Sequence, residues 1–200
     1  MPERFQWQSA LASFGLEARA RERVEDAGVY LCERRVATQL AIRGDAGNDD
    51  LGAAVEAILG LGLPVAPKTA RRKPGRALLW LGPDEWLAVL DVDDATLIAR
   101  FDESLSDMRH AVVDVSHSRS VIGIRGANAT ETLMKGTNVD LHPRVFGPDS
   151  CIQAHLARCH MLLHRLDEDS GYDIYVHRSF AVYAWQWLCD AAREYGVAVE

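Results

Sequence analysis

Ile42-Arg43-Gly44 and Ile124-Arg125-Gly126 are two copies of one tripeptide in a chain of 200 residues. Each copy closes a run rich in Val, Ile, Leu and Thr that predicts strand, over residues 29–44 and 111–126. In both halves a helix with apolar residues at helical spacing comes next, followed by two more apolar runs and a second helix. We therefore expect an α+β fold made of two pseudo-repeated β-α-β-β-α halves.

The first half has a capping or turn residue at each expected boundary. Asn48-Asp49-Asp50 offers capping oxygens to the first helix, and two glycines follow near its end. Gly82-Pro83-Asp84 predicts a tight turn between two apolar runs. The expected elements are a helix over Leu51–Leu61, strands over Ala77–Leu81 and Glu85–Asp91, and a helix over Ala95–Met108.

The second half follows the same order with its own boundary residues. Asp167–Gly171 is rich in turn-forming residues, Ser179 is placed to cap the closing helix, and Gly196 is placed to end it. The expected elements are a helix over Ala129–Lys135, strands over Ile152–Leu166 and Tyr172–Val176, and a helix over Phe180–Tyr195.

An N-terminal arm precedes the repeats. We assign it residues 1–28, the first half residues 29–108 and the second half residues 109–200, with the two halves forming one compact unit. The arm is too short to be a domain, so its apolar side chains either fold over the body or dock on another chain. Those side chains are Phe5, Trp7, Leu11, Phe14 and Leu16.

Composition excludes several classes of protein. A body of this size buries roughly 70% of the surface of its unfolded chain, so folding needs neither metal nor disulfides. No apolar run approaches the roughly 20 residues that span a bilayer, and no signal peptide is evident, so we expect no membrane partner. Four widely spaced cysteines indicate reduced thiols in a cytoplasmic protein, and the net charge of −7 disfavours nucleic acid as a partner.

The closing helix carries two apolar stripes where a surface helix normally carries one. The first is a plausible core stripe, made of Ala181, Ala184, Leu188, Ala191 and Tyr195. The second lies on another face and consists of Phe180, Tyr183 and Trp187, with Trp185 widening the apolar arc. Either two sheets of the same chain enclose this helix, or the second stripe is a surface that a partner covers.

Local motifs predict no catalytic, cofactor-binding or metal-binding residue in this chain. Lys135-Gly136-Thr137 lacks the glycine-rich lead-in of a phosphate loop. His160 and His164 fall in an expected strand, where their spacing only places them on one face. Asp114, Ser116 and His117 lie close in sequence, but a catalytic triad is assembled by geometry and not by adjacency, so a turn or sheet edge is the simpler reading.

The segment 64–76 has the composition of a loop, with three prolines and a concentration of cations between residues 68 and 76. A solvated, mobile loop is the usual fate of such a charge run. Two further readings remain open, an anionic ligand such as a polyglutamylated cofactor and an acidic neighbouring subunit.

Several motifs together resemble one known family. They are Leu79-Trp80-Leu81-Gly82-Pro83-Asp84-Glu85-Trp86-Leu87, Val113-Asp114-Val115-Ser116-His117-Ser118, Gly126-Ala127-Asn128-Ala129, Lys135-Gly136, Asp140-Leu141-His142-Pro143, Arg178-Ser179-Phe180 and Trp185-Gln186-Trp187-Leu188. This combination, spanning residues 29–196, resembles the gamma-subunit family of bacterial heterotetrameric sarcosine oxidases. That family is distantly similar to the folate-binding aminomethyltransferases of the glycine cleavage system, so the resemblance implies a fold like their N-terminal domain.

One departure from the wider family bears on catalysis. Its active members carry a glycine-rich hairpin followed by paired aspartates, one of which works in the one-carbon site. Residues 157–166 here read Ala-Arg-Cys-His-Met-Leu-Leu-His-Arg-Leu, without a carboxylate pair. The resemblance therefore implies an enzyme fold from which the acid–base group is missing.

The resemblance further implies a non-catalytic subunit of a complex that oxidatively demethylates sarcosine to glycine, releasing hydrogen peroxide and, with tetrahydrofolate, forming 5,10-methylenetetrahydrofolate. It implies no cofactor in this chain, with FAD, FMN, NAD and tetrahydrofolate held by partner subunits. The implied partners are larger flavin-carrying alpha and beta subunits and a small delta subunit. We expect the contacts of this chain to involve Phe5, Trp7, Phe180, Tyr183 and Trp187.

Two other classes of function remain open from the sequence. A stand-alone folate-dependent one-carbon transferase or repair protein would bind tetrahydrofolate by itself, with the basic segment taking part. A homo-oligomeric binding module would have no connection to flavins.

Overall fold

The computed structural model describes residues 8–21, 24, 26–166 and 171–200, and in them two β-sheets are packed face to face between two layers of helices. The helices are α1 Leu16–Arg19, α2 Asp49–Leu59, α3 Leu97–Ser104, α4 Ala129–Met134 and α5 Ala181–Ala191. The strands are β1 Val29–Arg34, β2 Thr38–Arg43, β3 Ala70–Lys73, β4 Arg76–Gly82, β5 Glu85–Leu90, β6 Ala111–Asp114, β7 Arg119–Arg125, β8 Cys151–Leu156, β9 Cys159–Arg165, β10 Tyr172–His177 and β11 Val197–Val199. This arrangement is the mixed α+β class that the sequence predicts.

Each sheet borrows a strand from the other half of the chain. Sheet A has the order β11-β1-β7-β10-β9-β8, and sheet B has the order β3-β4-β5-β2-β6. The strand β1 of the first half thus pairs with β7 of the second, and β6 of the second half pairs with β2 of the first. The two halves are therefore interlocked by their sheets and cannot separate as folded units.

The two runs expected as single strands are each broken, because consecutive pieces enter different sheets. The first run breaks between β1 and β2, and the second between β6 and β7. At the second break the Asp114 carboxylate accepts a hydrogen bond from the Ser116 backbone N–H at 2.8 Å, which turns the chain out of β6. Both Ile-Arg-Gly copies lie at the ends of central strands, with Ile42 between Trp86 and Val112.

Both sheets are covered on both faces. The outer face of sheet B packs on α2 and α3, and the outer face of sheet A packs on α4, α5 and the arm. The inner faces meet in a smaller apolar core, made of Ala70, Ala77, Leu79, Leu87, Val89, Val121, Cys151, Leu162 and Tyr175. A sheet covered on both faces has apolar residues in long runs, which is why these strands lack clear alternation.

Several boundaries in the first half agree with the sequence. The Asn48 side chain accepts a hydrogen bond from the Asp50 N–H at 2.9 Å, and Gly60 ends α2 in the left-handed conformation with φ 67°. The hairpin β4–β5 also forms as expected. The loop expected over residues 64–76 is wrong in its second part, where Pro74-Gly75 closes the hairpin β3–β4. Gly75 takes φ 74° there, which suits a tight hairpin turn.

Besides the break between β6 and β7, the second half differs from expectation in three places. The strand expected over residues 152–166 is two strands, because Ala157, with φ 51°, and Arg158 form a two-residue turn between β8 and β9. The residue at the cap position of α5 is Phe180 and no side chain caps the helix, so the capping role expected of Ser179 is wrong. A short strand, β11, follows Gly196 and pairs in parallel with β1.

The arm folds over the body from Leu11 onward. Leu11 is fully buried, and the Phe14 ring lies 6.3 Å from the Trp185 ring, centroid to centroid. Phe5 and Trp7, which we expected to contact a partner, lie outside the described residues. Within the described part of the chain, no helix has both the length and the apolarity needed to cross a bilayer.

Candidate functional site

The inner face of sheet A is organised in rows of directly paired residues that run across its strands. One row joins Cys151, His164 and Asp173, and the next joins Gln153, Leu162 and Tyr175. A third row pairs His155 with His160 and, further along, His177 with Arg119. Since paired residues share a face of the sheet, all three rows look into the gap between the sheets, where Leu162 and Tyr175 contact sheet B.

An ion-pair cluster occupies the deep end of this gap. The Arg34 guanidinium donates a hydrogen bond to Asp173, whose side chain is 1% exposed, and lies 3.7 Å from Asp91 at the end of β5. Burial raises the pKa of the Asp173 carboxyl, and the Arg34 charge opposes that rise. Burial acts to lower the pKa of Arg34, but Asp173, Tyr175 and Asp91 outweigh it and the pKa is raised. The cluster thus connects the two sheets electrostatically.

His164 extends the cluster along the same row. Its ring is buried, its Nε2 lies 3.8 Å from Asp149 Oδ1, and neither ring nitrogen has a hydrogen-bond partner among the described residues. Asp149 also accepts a hydrogen bond from Arg72 Nε at 3.3 Å, and the neighbouring His164 and Arg72 lower the pKa of its carboxyl. A cavity of about 360 Å³ adjoins these side chains, and the charged residues that line it form ion pairs with one another. These ion pairs indicate that the cluster has a structural role.

Asp173 is a residue that sequence reasoning missed. We looked for a carboxylate in residues 157–166, whereas Asp173 lies on the adjacent strand, directly opposite His164. The available signal was a single carboxylate inside an otherwise apolar strand, since a buried Asp needs a charged or hydrogen-bonding partner. Arg34 supplies that partner from a strand far away in sequence, so the pair could not be found from local spacing.

Asp114, Ser116 and His117 do not assemble into a catalytic arrangement. Ser116 Oγ donates to Asp114 Oδ1 at 2.5 Å and accepts from the Gln39 backbone N–H at 2.9 Å. These hydrogen bonds from Ser116 lower the pKa of the Asp114 carboxyl. His117 is exposed, and in the described ranges its ring makes no hydrogen bond to Ser116. Ser116 therefore stabilises the turn where the chain passes from β6 to β7. A cavity of about 430 Å³ lies beside it, lined by both acidic and basic side chains.

The three histidines of the third row are exposed at the open end of the gap, and Arg119 is half-buried. The rings of His155 and His160 lie 4.1 Å apart, centroid to centroid. His177 and Arg119 line the same cavity, whose volume is about 350 Å³. No three histidine, cysteine or acidic side chains of residues 8–21, 24, 26–166 and 171–200 are arranged as metal ligands. His160 and His164 share a face as expected, but one is exposed and the other buried.

The four cysteines are free thiols, and two of them are buried. Burial raises the pKa of Cys151 to about 12, and it also raises the pKa of Cys159. Because the thiolate is the reactive form of cysteine, these side chains are unsuited to nucleophilic catalysis at neutral pH.

Most cations of the basic segment have partners within the chain. Lys73 Nζ donates to Gly60 O at 2.6 Å, and Arg76 Nη1 donates to Leu59 O at 2.8 Å. Both therefore satisfy carbonyl groups at the C-terminus of α2, where the helix dipole favours positive charge. With Arg72 bonded to Asp149, the segment is a structural hairpin, which is not one of the readings that we had left open.

The aromatic residues that we assigned to a subunit interface differ in their surroundings. Phe180 is 43% exposed, and its neighbour Val182 is 40% exposed. Trp187 is half-buried against Gly136, where an added Cβ would lie 2.3 Å from the indole ring. The Tyr183 hydroxyl accepts a hydrogen bond from the Arg158 N–H at 3.3 Å. The core stripe of α5 is buried at Ala181, Ala184 and Leu188, with Trp185 fully buried beside it.

Comparison with known proteins gives one consistent result. The model of the sarcosine oxidase gamma subunit family matches residues 43–194. The sarcosine oxidase subunit gamma of Corynebacterium sp. (strain P-1) is 39% identical over 168 residues, covering 84% of this chain and 81% of that protein.

Two solved structures are similar to this fold. A chain of heterotetrameric sarcosine oxidase from Corynebacterium sp. U-96, in complex with pyrrole 2-carboxylate, has a TM-score of 0.84 at 34% identity, covering 96% of this chain and 97% of that one. The glycine cleavage system aminomethyltransferase T from Bartonella henselae has a TM-score of 0.60 at 15% identity, covering 94% of this chain and 51% of that one, and so shares the fold alone. This chain belongs to the sarcosine oxidase gamma subunit family.

Proposed function

We propose that this chain is the non-catalytic gamma subunit of a cytoplasmic heterotetrameric sarcosine oxidase. The observation that carries the proposal is the match along nearly the whole length of both chains to one chain of such a complex. In this proposal the complex oxidises the N-methyl group of sarcosine, yielding glycine and hydrogen peroxide and passing the one-carbon unit to tetrahydrofolate. Larger alpha and beta subunits hold the FAD, FMN, NAD and folate, and a small delta subunit completes the assembly.

The side chains in the gap between the sheets support a role without catalysis. The positions where the wider fold family carries an acidic pair belong to β9, whose inner-face residues are His160, Leu162 and His164. Asp173, whose carboxylate is buried nearby, is bonded to Arg34. This bond to a guanidinium supports a structural role for Asp173 in the proposal.

We propose that the subunit docks through the surface around Phe180 and Val182. Both side chains are exposed, whereas the three aromatic residues of α5, Tyr183, Trp185 and Trp187, are wholly or partly buried. Exposed Met134 on α4 adds to the apolar area on this side of the molecule. Apolar and aromatic side chains at the centre of a contact supply most of the affinity between subunits. Tyr183 and Trp187 are partly buried by their own chain, and in this proposal they and the arm residues Phe5 and Trp7 border the surface.

We also propose that the two halves, 29–108 and 109–200, are copies of one unit. The β-α-β-β-α order expected from the sequence becomes β-β-α-β-β-β-α in each half, because the first run breaks into two strands and one more strand, β3 or β8, precedes the last two. The pairing order supports this, because β7 is flanked by β1 and β10 just as β2 is flanked by β6 and β5. In each sheet the next two strands also follow in matching order, β9 and β8 in one and β4 and β3 in the other. The exchange of β1 and β6 would then be the feature that joins the copies into one body.

The direct test is to purify the full chain from its native cell by an affinity tag. The proposal predicts a complex that contains larger chains, elutes ahead of the free chain on gel filtration and has the visible absorbance of flavin. A colourless species containing only this chain would contradict the proposal. Tetrahydrofolate binding by that lone species would then favour the rival class, a stand-alone folate-dependent transferase.

A further inference from the structure

Four basic side chains stand side by side at the open end of the gap between the sheets. The register pairs His155 with His160 and His177 with Arg119. The strands β9 and β10 pair as far as Met161 and Val176, so His160 and His177 are the next residues along. The row therefore crosses four adjacent strands, β8, β9, β10 and β7, on the face that looks toward sheet B.

The cavity that this row lines differs in charge from the cavity at the deep end. The deep cavity contains three carboxylates, Asp91, Asp149 and Asp173, which balance its cations. In the cavity of the histidine row, none of the described lining residues is acidic. Its remaining walls are largely apolar or amide-bearing, and include Leu81, Gln153, Leu162 and Tyr175. The row thus lies in a pocket with positive charge, and Glu85, the carboxylate whose charge acts on Arg119, does not line it.

Arg119 is the permanent charge of the pocket, and its guanidinium is poorly satisfied. The side chain is half-buried, and in the described part of the chain its one hydrogen bond is a long one, 3.4 Å to Ser118 Oγ. Burial lowers its pKa, and the charge of Glu85, which is itself bonded to Arg43 at 2.8 Å, opposes this. A guanidinium has five N–H donors in a geometry that suits carboxylate or oxyanion ligands. Most donors of Arg119 are therefore available to an anionic ligand.

We propose that this pocket binds an anionic group, a carboxylate or a tetrahedral oxyanion, with Arg119 as its anchor and His155, His160 and His177 as hydrogen-bond donors. The same chemistry fits two sources, a small anion from solution and an acidic side chain of a partner subunit. The inference does not depend on the proposed assembly, because its first test uses the full chain alone.

Sulfate is the first probe, because its charge stays constant between about pH 6 and about pH 8, the range in which histidines exchange protons. We expect sulfate to shift the imidazole NMR signals of the three row histidines and to leave His110, remote from the pocket, unchanged. The charged and polar side chains around the anion are Arg119, the three histidines and Tyr175, and Glu85 of sheet B acts on Arg119 without lining the cavity.

Arg119→Met should weaken sulfate binding about tenfold or more in calorimetric titration, since hydrogen bonds between charged groups are among the strongest in proteins. Arg119→Lys should restore part of the affinity. Arg125→Met is the matched control, because Arg125 lies on the same strand but pairs with Glu200 far from the pocket. His160→Gln, at an exposed position, keeps the test valid if Arg119→Met impairs folding.

The assembled complex separates the two sources of the anion. Sulfate binding that persists in the complex and is lost in Arg119→Met identifies a site for a small anion. Sulfate binding to the free chain that disappears on assembly, together with weaker assembly of Arg119→Met, identifies a partner carboxylate. Absence of sulfate binding in both states, or binding that Arg119→Met leaves unchanged, would overturn the proposal.

Discussion

The helix layer over sheet B and the layer over sheet A cover equivalent sheets but differ in their outer surfaces. Among the described residues, α2 and α3 expose no large apolar side chain, and Lys73 and Arg76 close the C-terminus of α2. On the other side Met134 of α4 and Val182 of α5 are 60% and 40% exposed, and Phe180 precedes α5 without a capping side chain. This difference supports the proposal that a partner covers the second layer.

The largest expected effect concerns the ion pair between β1 and β10 on the inner face of sheet A. Arg34→Met leaves the Asp173 carboxylate buried without its cation. The free energy of unfolding should fall by about 3 kcal/mol at neutral pH. This value is at the low end of the range for a broken buried ion pair, because Arg34 is one-third exposed. Denaturant unfolding followed by circular dichroism measures this loss.

The pH dependence of that loss has a definite sign. Burial already raises the pKa of Asp173 in the folded state, so its own contribution to stability is present at low pH and declines as pH rises through that pKa. Without Arg34 the ionised form is costlier still, so the deficit of Arg34→Met should shrink on acidification as Asp173 gains a proton. A deficit that grew on acidification would contradict the ion-pair assignment.

A pair of glycine substitutions compares the layers directly. Gly136→Ala, in the turn after α4, forces the new methyl against the Trp187 ring and should cost about 1–3 kcal/mol, as overpacking usually does. Thermal unfolding and Trp fluorescence should both report the displaced indole. An unchanged stability would show that Trp187 does not rest on Gly136 and is available to a partner after all.

Gly52→Ala is the matched change in α2, with a smaller effect of opposite sign. Among the described residues, no atom beyond the chain neighbours and the backbone of α2 lies within 4 Å of the new methyl group. Gly in a helix interior costs about 0.5–1 kcal/mol relative to Ala. The same unfolding experiment should show a gain of that size. A loss would indicate that the outer surface of α2 is less complete than the comparison requires.

Local chemistry explains which parts of the fold could be predicted from sequence. Asn48 and Gly60 bound α2 through contacts a few residues long, so their effect is visible in the sequence. Likewise Pro83-Asp84 closes β4–β5, whereas the turn at Ala157-Arg158 carries no glycine or proline to mark it. The hairpin β3–β4 was mistaken for a loop because its cations bond to α2 and Asp149, partners that sequence spacing does not reveal.

The gap between the sheets was less predictable still. The Arg34–Asp173 pair and the row of His155, His160 and His177 arise from strand exchange and register, which bring together residues far apart in sequence. The sequence showed only that an acidic pair was absent from residues 157–166. The identity of the charges that replace it required the pairing of all six strands of sheet A.

The central claim is that the layer over sheet A docks on a larger subunit, and one measurement tests it most directly. The double variant Phe180→Asp, Val182→Asp is co-expressed with the other subunits of the oxidase and isolated through a tag on this chain. Val65→Asp is the control, since Val65 is 62% exposed beyond the end of α2. Both variants should fold, because substitutions at exposed sites usually change stability by less than about 0.5 kcal/mol. The account predicts that the double variant loses the larger subunits and their flavin colour while the control retains them, and a double variant that still recovered the whole complex would contradict it.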